Sequence, residues 1–237
     1  MQNLQGIIST SVNNATLQFE KLGQLTTDVA NYNTPAYKST RFENYLKEDG
    51  RLDGVLRTDY STSSLASSDR DLDIAIDGPG FVPITMKNGK TAYTRNCSFM
   101  VGKEGILQTS DGSMVADGIK IPVNTNKVII DADGTIKTLF SGSTTETVVG
   151  KIPVVNFNNP EKLQLIDGNK VVATNESGNP ILLKNNKSIK QKCLETSNVN
   201  MYATVNEAMR LNASLIASTR LIKYTDDLYQ KAINLKQ

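Results

Sequence analysis

Leu72-Asp73-Ile74-Ala75-Ile76-Asp77-Gly78-Pro79-Gly80-Phe81 is the stretch on which the fold turns. Leu72 to Ile76 is a short apolar run of β type, and Asp77-Gly78 closes it with a dipeptide suited to a tight turn. Runs of the same kind recur as far as about Lys192, among them Val128-Ile129-Ile130 and Ile152-Pro153-Val154-Val155. Asn88-Gly89, Asp111-Gly112, Asp117-Gly118, Asp133-Gly134 and Asp167-Gly168 punctuate them. Strands at this spacing predict a compact, mostly antiparallel β domain over residues 72–196.

Toward the N-terminus, Tyr37 to about Arg70 is polar, and Ser61-Thr62-Ser63-Ser64 with Ala66-Ser67-Ser68 has the composition of an extended connector, assigned to residues 36–71. Before it, residues 3 to 31 read as one long helix, because Ile8, Val12, Ala15, Phe19, Leu22 and Val29 follow an alternating four and three spacing. Asn33-Thr34-Pro35 predicts its end near Asn31, since proline disfavours helical geometry at the preceding residue. Only Glu20, Lys21 and Asp28 are charged in this helix. A helix standing alone in water usually shows a charged outer face, so an uncharged polar back predicts packing in an assembly. Gly6 and Gly23 each weaken helix propensity by roughly 1 kcal/mol relative to alanine, which again assigns the helix's order to packing.

Toward the C-terminus, Asn198 to Leu235 returns to helical periodicity, with Met201, Ala208, Leu215, Ile222 and Tyr229 seven apart and a second row at Leu221, Leu228 and Leu235. The expected fold is therefore α+β: long helices in residues 1–35 and 197–237 paired as a coiled coil around a central β domain. The expected assembly interface is Ile8, Val12, Phe19, Leu22 and Val29 on one helix, with Met201, Val205, Leu215, Ile222, Leu228 and Tyr229 on the other.

Composition narrows the function classes. The 237 residues carry 26 basic and 24 acidic side chains, well mixed, for a formal charge of +2, and no basic stripe for nucleic acid is visible. No run of about 18 apolar residues occurs, so membrane insertion is not expected. Met1 to Asn14 lacks the basic start, apolar stretch and cleavage site of a secretory signal, so export would take another route. The absence of histidine excludes serine and cysteine triads and removes the commonest metal ligand. Cys97 and Cys193 are too few and too far apart in sequence for a disulfide framework or a zinc site.

Candidate chemical motifs are weak. Asp131-Ala132-Asp133-Gly134 lacks the third carboxylate position and the distal glutamate of a calcium loop, and reads better as a hairpin turn. Gly78-Pro79-Gly80 lacks the third glycine of a dinucleotide fingerprint. Neither Asp71 with Asp73 nor Glu20 with Asp28 shows signs of a shared cleft. No catalytic residue, cofactor or metal is expected.

Three blocks resemble the flagellar basal-body rod and hook family. Asp28-Val29-Ala30-Asn31-Tyr32-Asn33-Thr34-Pro35-Ala36-Tyr37-Lys38 is similar to the signature that follows the family's first helix, with Asp28, Val29 and Ala36 as departures. Leu72 to Phe81 with Tyr93-Thr94-Arg95-Asn96 resembles its β-domain start, where Cys97 departs from a common glycine, and Gly105-Ile106-Leu107 also fits. Leu194-Glu195-Thr196-Ser197-Asn198-Val199-Asn200 resembles the approach to its last helix; Arg220, Tyr224, Asp226 and Leu235 fit the closing segment, and Arg220-Leu221-Ile222-Lys223 departs in detail. Asn31, Thr34, Lys38, Gly78, Gly80, Phe81, Ser197, Asn198 and Val199 are the motif positions carried over. The resemblance implies a structural rod subunit, with no enzymatic activity, that polymerises into a tubular shaft transmitting torque, closer to the proximal-rod than the distal-rod type. Its implied partners are copies of itself, other rod and hook subunits and the flagellar type III export apparatus, and its implied location is the basal body, in the periplasm or cell wall. A distal-rod or hook-type subunit, a soluble β-domain binding module, and an enzyme working through carboxylates are the competing readings.

Overall fold

The computed structural model describes residues 2–48, 51–142, 145–166, 169–184 and 187–234. The chain divides into two compact units, one of Met1–Tyr32, Ser39–Asp59 and Val199–Gln237, the other of Asn33–Lys38 and Tyr60–Asn198.

The first unit contains helix α1 (Gln2–Ala30), helix α2 (Met201–Asn234) and an antiparallel hairpin of β1 (Thr40–Leu46) and β2 (Leu52–Thr58). α1 stops where Asn33-Thr34-Pro35 begins, and the Asn31 side-chain amide donates to the Thr27 carbonyl at 2.9 Å, satisfying one acceptor of its last turn. Asn200 caps α2, its side-chain oxygen accepting from the Ala203 amide at 3.0 Å. The hairpin occupies the stretch read as an irregular connector. Its alternation is faint because none of its side chains is buried and half of them are exposed. It is held to α1 where the Leu52 amide donates to the Asn13 side chain at 3.1 Å.

The expected fold class needs correction. Among the described residues the chain has two α-helices, one toward each end, and a mostly β body, and the terminal helices do not form a coiled coil along the predicted seam. A coiled coil buries its apolar seam as knobs in holes. Here Val12 is 49% exposed, Phe19 61% and Val29 38%, while Leu17, outside the predicted seam, is buried. Polar contacts link the helices: the Gln18 amide donates to the Ser214 hydroxyl at 2.8 Å, and Lys21 pairs with Glu207 at 2.5 Å. Leu211 and Leu215 are the buried apolar residues of α2. Periodicity identified the helices correctly, but it could not distinguish the row that turns inward from a second apolar row left outside. Leu235 lies outside the described residues.

The second unit is built of antiparallel pairs. Its largest sheet has seven strands in the spatial order Gln164–Leu165, Lys170–Val172, Thr91–Thr94, Val82–Thr85, Met114–Val115, Leu107–Thr109 and Phe99–Val101. A three-stranded sheet joins Thr125–Ile130, Thr135–Phe140 and Glu146–Lys151. Ile74–Ile76 pairs with Ile189–Gln191, and Leu65–Ser67 pairs with Cys193–Glu195, so the ends of this unit's long segment come together. The main core comprises Ile74, Ile76, Val82, Phe99, Leu107 and Ile136 with their neighbours; a second cluster gathers Phe81, Tyr93, Phe157 and Leu163. The glycines of Asp77-Gly78, Asn88-Gly89, Asp111-Gly112, Asp117-Gly118 and Asp133-Gly134 all have positive φ, between +77° and +136°; Asp167-Gly168 lies outside the described residues. Cys97 and Cys193 are both free.

Candidate functional site: a buried ionic node and exposed helical faces

Three distant parts of the second unit converge on one carboxylate. The strand Cys193–Glu195 delivers Glu195, the strand Thr91–Thr94 runs into Arg95, and the segment after α1 delivers Lys38. Their side chains are 1%, 3% and 6% exposed. Arg95 donates to Glu195 through Nε at 2.8 Å and Nη2 at 3.2 Å, a two-pronged geometry that only guanidinium supplies. Lys38 Nζ donates to Glu195 Oε1 at 2.7 Å and to the Ser61 carbonyl at 2.5 Å, and the Ser63 amide reaches Oε1 at 2.9 Å.

Charges taken this far out of water are tolerable only where hydrogen-bonding dipoles surround them. Arg95 finds them in the carbonyls of Gly80 at 2.7 Å, Gly78 at 3.0 Å and Ile76 at 3.3 Å, and its guanidinium lies 5.9 Å from the Phe81 ring centroid. Burial alone would raise the Glu195 carboxyl, but the hydrogen bonds and charge of Arg95, then of Lys38, outweigh it and hold the group below its usual range. Gly80 has φ +133°, and a Cβ there would stand 2.6 Å from Val154 Cγ1 and 3.2 Å from the Val155 carbonyl, so the loop that offers these carbonyls requires glycine.

The motif positions gather here. Lys38, Gly78, Gly80 and Phe81 line the node; the Ser197 carbonyl accepts from the Ser63 hydroxyl at 2.9 Å, and the Asn198 amide donates to the Tyr37 carbonyl at 3.2 Å. Val199 is buried at the start of the segment leading to α2, whereas Asn31 and Thr34 are half-buried at and beyond the end of α1. Sequence reasoning quoted Arg95 and Glu195 inside motifs and did not single them out. The available signal was a charge next to an apolar strand pattern, which an ordinary surface strand also shows.

The residues of the expected assembly interface differ widely in exposure. Val12, Phe19, Val29, Val205 and Leu228 are exposed; Ile8, Leu22, Met201, Ile222 and Tyr229 are half-buried; Leu215 is buried. Tyr202 at 81%, Met209 at 66% and Tyr224 at 70% exposure extend the outward apolar surface of α2; none of the three was placed in the expected interface.

Among the described residues, no group of three metal-ligating side chains occurs, and no helix is long and apolar enough to cross a membrane.

Residues 75–138 match the family described as flagellar hook protein FlgE/F/G D1 domain. The chain is 31% identical over 180 residues to the flagellar basal-body rod protein FlgG of Buchnera aphidicola subsp. Schizaphis graminum, covering 74% of this chain and 69% of that protein. It is 28% identical over 249 residues to the FlgG of Bacillus subtilis, covering 92% and 94%. A flagellar basal-body rod protein FlgF, from the same Buchnera, is 26% identical over 218 residues, covering 86% and 82%.

Proposed function

The chain belongs to the flagellar basal-body rod protein family and is a structural subunit of that rod, and from this premise we propose that it polymerises into a tubular shaft carrying torque from motor to hook. The observation that carries this reading is the outward apolar surface of the two helices. α1 and α2 leave Val12, Phe19, Tyr202, Met209, Tyr224 and Leu228 between 49% and 81% exposed. Apolar side chains arrayed along a helix face at this exposure mark an interaction surface.

We assign the assembly contacts to residues 1–35 and 197–237, the connection to residues 36–71 and the β-rich domain to residues 72–196. The contacts are heterologous, since a face that meets a different face generates an open helical polymer. The partners are further copies of this chain and other rod and hook subunits. The flagellar type III apparatus exports it to the basal body, in the periplasm or cell wall. It works by assembly and not by catalysis.

Peptide mass spectrometry of purified hook-basal bodies, with labelled electron microscopy to locate the chain along the axis, tests the reading. Recovery in stoichiometric amount within the rod is the expected result. Complete basal bodies that lack the chain would overturn it.

A further inference from the structure

Glu195 stands where the chain enters the β unit and where it leaves. The entering segment, residues 33–38, and the leaving segment, residues 194–198, run beside each other through two backbone hydrogen bonds: the Ala36 amide to the Glu195 carbonyl at 2.8 Å, and the Asn198 amide to the Tyr37 carbonyl at 3.2 Å. A third stretch closes over them. The Thr196 amide donates to the Ser64 carbonyl at 2.9 Å, and Ser63 bonds both the Glu195 carboxylate and the Ser197 carbonyl at 2.9 Å.

We propose that the Lys38–Glu195–Arg95 node makes these segments one clamp, so that the entering and leaving segments become ordered together or open together. The argument is geometric. Lys38 Nζ, on a side chain 6% exposed, donates both to Glu195 Oε1 at 2.7 Å and to the Ser61 carbonyl at 2.5 Å, so one ammonium ties the entering segment to the leaving segment and to the stretch that closes over them. Charge-assisted bonds of this kind are stronger than the neutral backbone bonds beside them. Without them residues 36–38 part more readily from the leaving segment, and loss of the leaving segment removes the carboxylate that helps to hold Lys38. Arg95 anchors Glu195 to the β core on the far side, so opening of the clamp does not require the strands around Phe99 and Ile136 to open. Nothing in this coupling depends on assembly into a rod, and it is read on the soluble chain.

Hydrogen exchange measured by mass spectrometry on the full-length chain tests it, with Lys38→Met and Glu195→Gln. Lys38→Met keeps the one-to-one Arg95–Glu195 pair, so the chain stays folded. Exchange in residues 33–38 and in residues 194–198 should rise by the same factor, about tenfold or more, while strands containing Phe99, Leu107 and Ile136 keep their protection. Glu195→Gln turns the acceptor shared by Lys38 and Arg95 into a neutral amide, and should raise exchange further in both segments and in residues 61–64. Acceleration in the entering segment alone, or unchanged exchange in both segments of Lys38→Met, would overturn the coupling.

Discussion

Arg95 and Glu195, one hundred positions apart, face each other across two hydrogen bonds of 2.8 and 3.2 Å with almost no access to solvent. A pair closed from water in this way contributes little as a pair and costs much when halved. Arg95→Met leaves Glu195 its Lys38 partner but strips the Gly80, Gly78 and Ile76 carbonyls of their buried donor, and should destabilise the chain by roughly 3–5 kcal/mol, read as a lower urea midpoint with an unchanged slope, whereas removal of an exposed partner such as Lys190, paired to Asp77, should leave the midpoint almost unchanged. Equal losses for the two variants would contradict the burial argument.

Acid stability follows from the same carboxylate. The folded Glu195 holds its proton less tightly than its ordinary 4.5, so its contribution is present in full above that value and is lost as pH falls below it toward the folded pKa. Asp111 and Asp133 shift the same way, Asp111 through hydrogen bonds from Lys170, Thr109 and Ser113 that overcome its burial, and Asp133 through Lys151 and Thr135. Unfolding free energy measured from pH 7 downward should stay level to about pH 5 and then fall. The fall should be shallower in Glu195→Gln, which has no carboxyl there to titrate; an identical slope would show that Glu195 contributes nothing to the acid transition.

Gly134 and Gly78 separate steric from conformational demand. Both have positive φ, +90° and +136°. A Cβ on Gly134 would lie 2.4 Å from the Ile152 carbonyl, while one on Gly78 meets nothing within 4 Å. Gly78→Ala should cost about 1–3 kcal/mol of backbone strain, and Gly134→Ala more than that because the Ile152–Gly134 hydrogen bond of 2.8 Å must also give way. Thermal midpoints of the two variants settle the order.

Phe19 tests the exposed face of α1. Phe19→Ser removes a side chain that is 61% exposed, so stability of the soluble chain should change by no more than about 0.5 kcal/mol, while swimming in soft agar and recovery of rods are lost. Phe99→Ala, at a position with no exposure, should cost about 3–5 kcal/mol and act through folding instead. Normal motility with Phe19→Ser would remove α1's outward face from the assembly surface.

Helix positions, turn glycines and the β body were legible because each depends on local signals: periodicity, proline and Asp-Gly or Asn-Gly pairs. Helix pairing was not. Leu17 and Leu22 are both apolar with similar spacing to their neighbours, and only the partner helix decides that Leu17 is buried. The hairpin of β1 and β2 was hidden because a ribbon that buries neither face needs no alternation. The node was half legible. Lys38, Gly78 and Gly80 lay within recognised blocks, yet that they share Glu195 is a property of strand pairing over long separations, which spacing along the chain does not encode.

The burial of the node also sets how the chain meets ionic strength. At about 1 M salt the screening length shrinks to roughly 3 Å, and charges standing in solvent cease to feel one another beyond contact. Lys151 with Asp133 and Lys190 with Asp77 are about half exposed and fall in that class. The Glu195 side chain is 1% exposed and accepts from the Ser63 amide and from two cations already in place, which leaves counter-ions no access to it. Concentrated brine would thus erase the outer electrostatics of this chain and leave its interior charge arrangement as it stands.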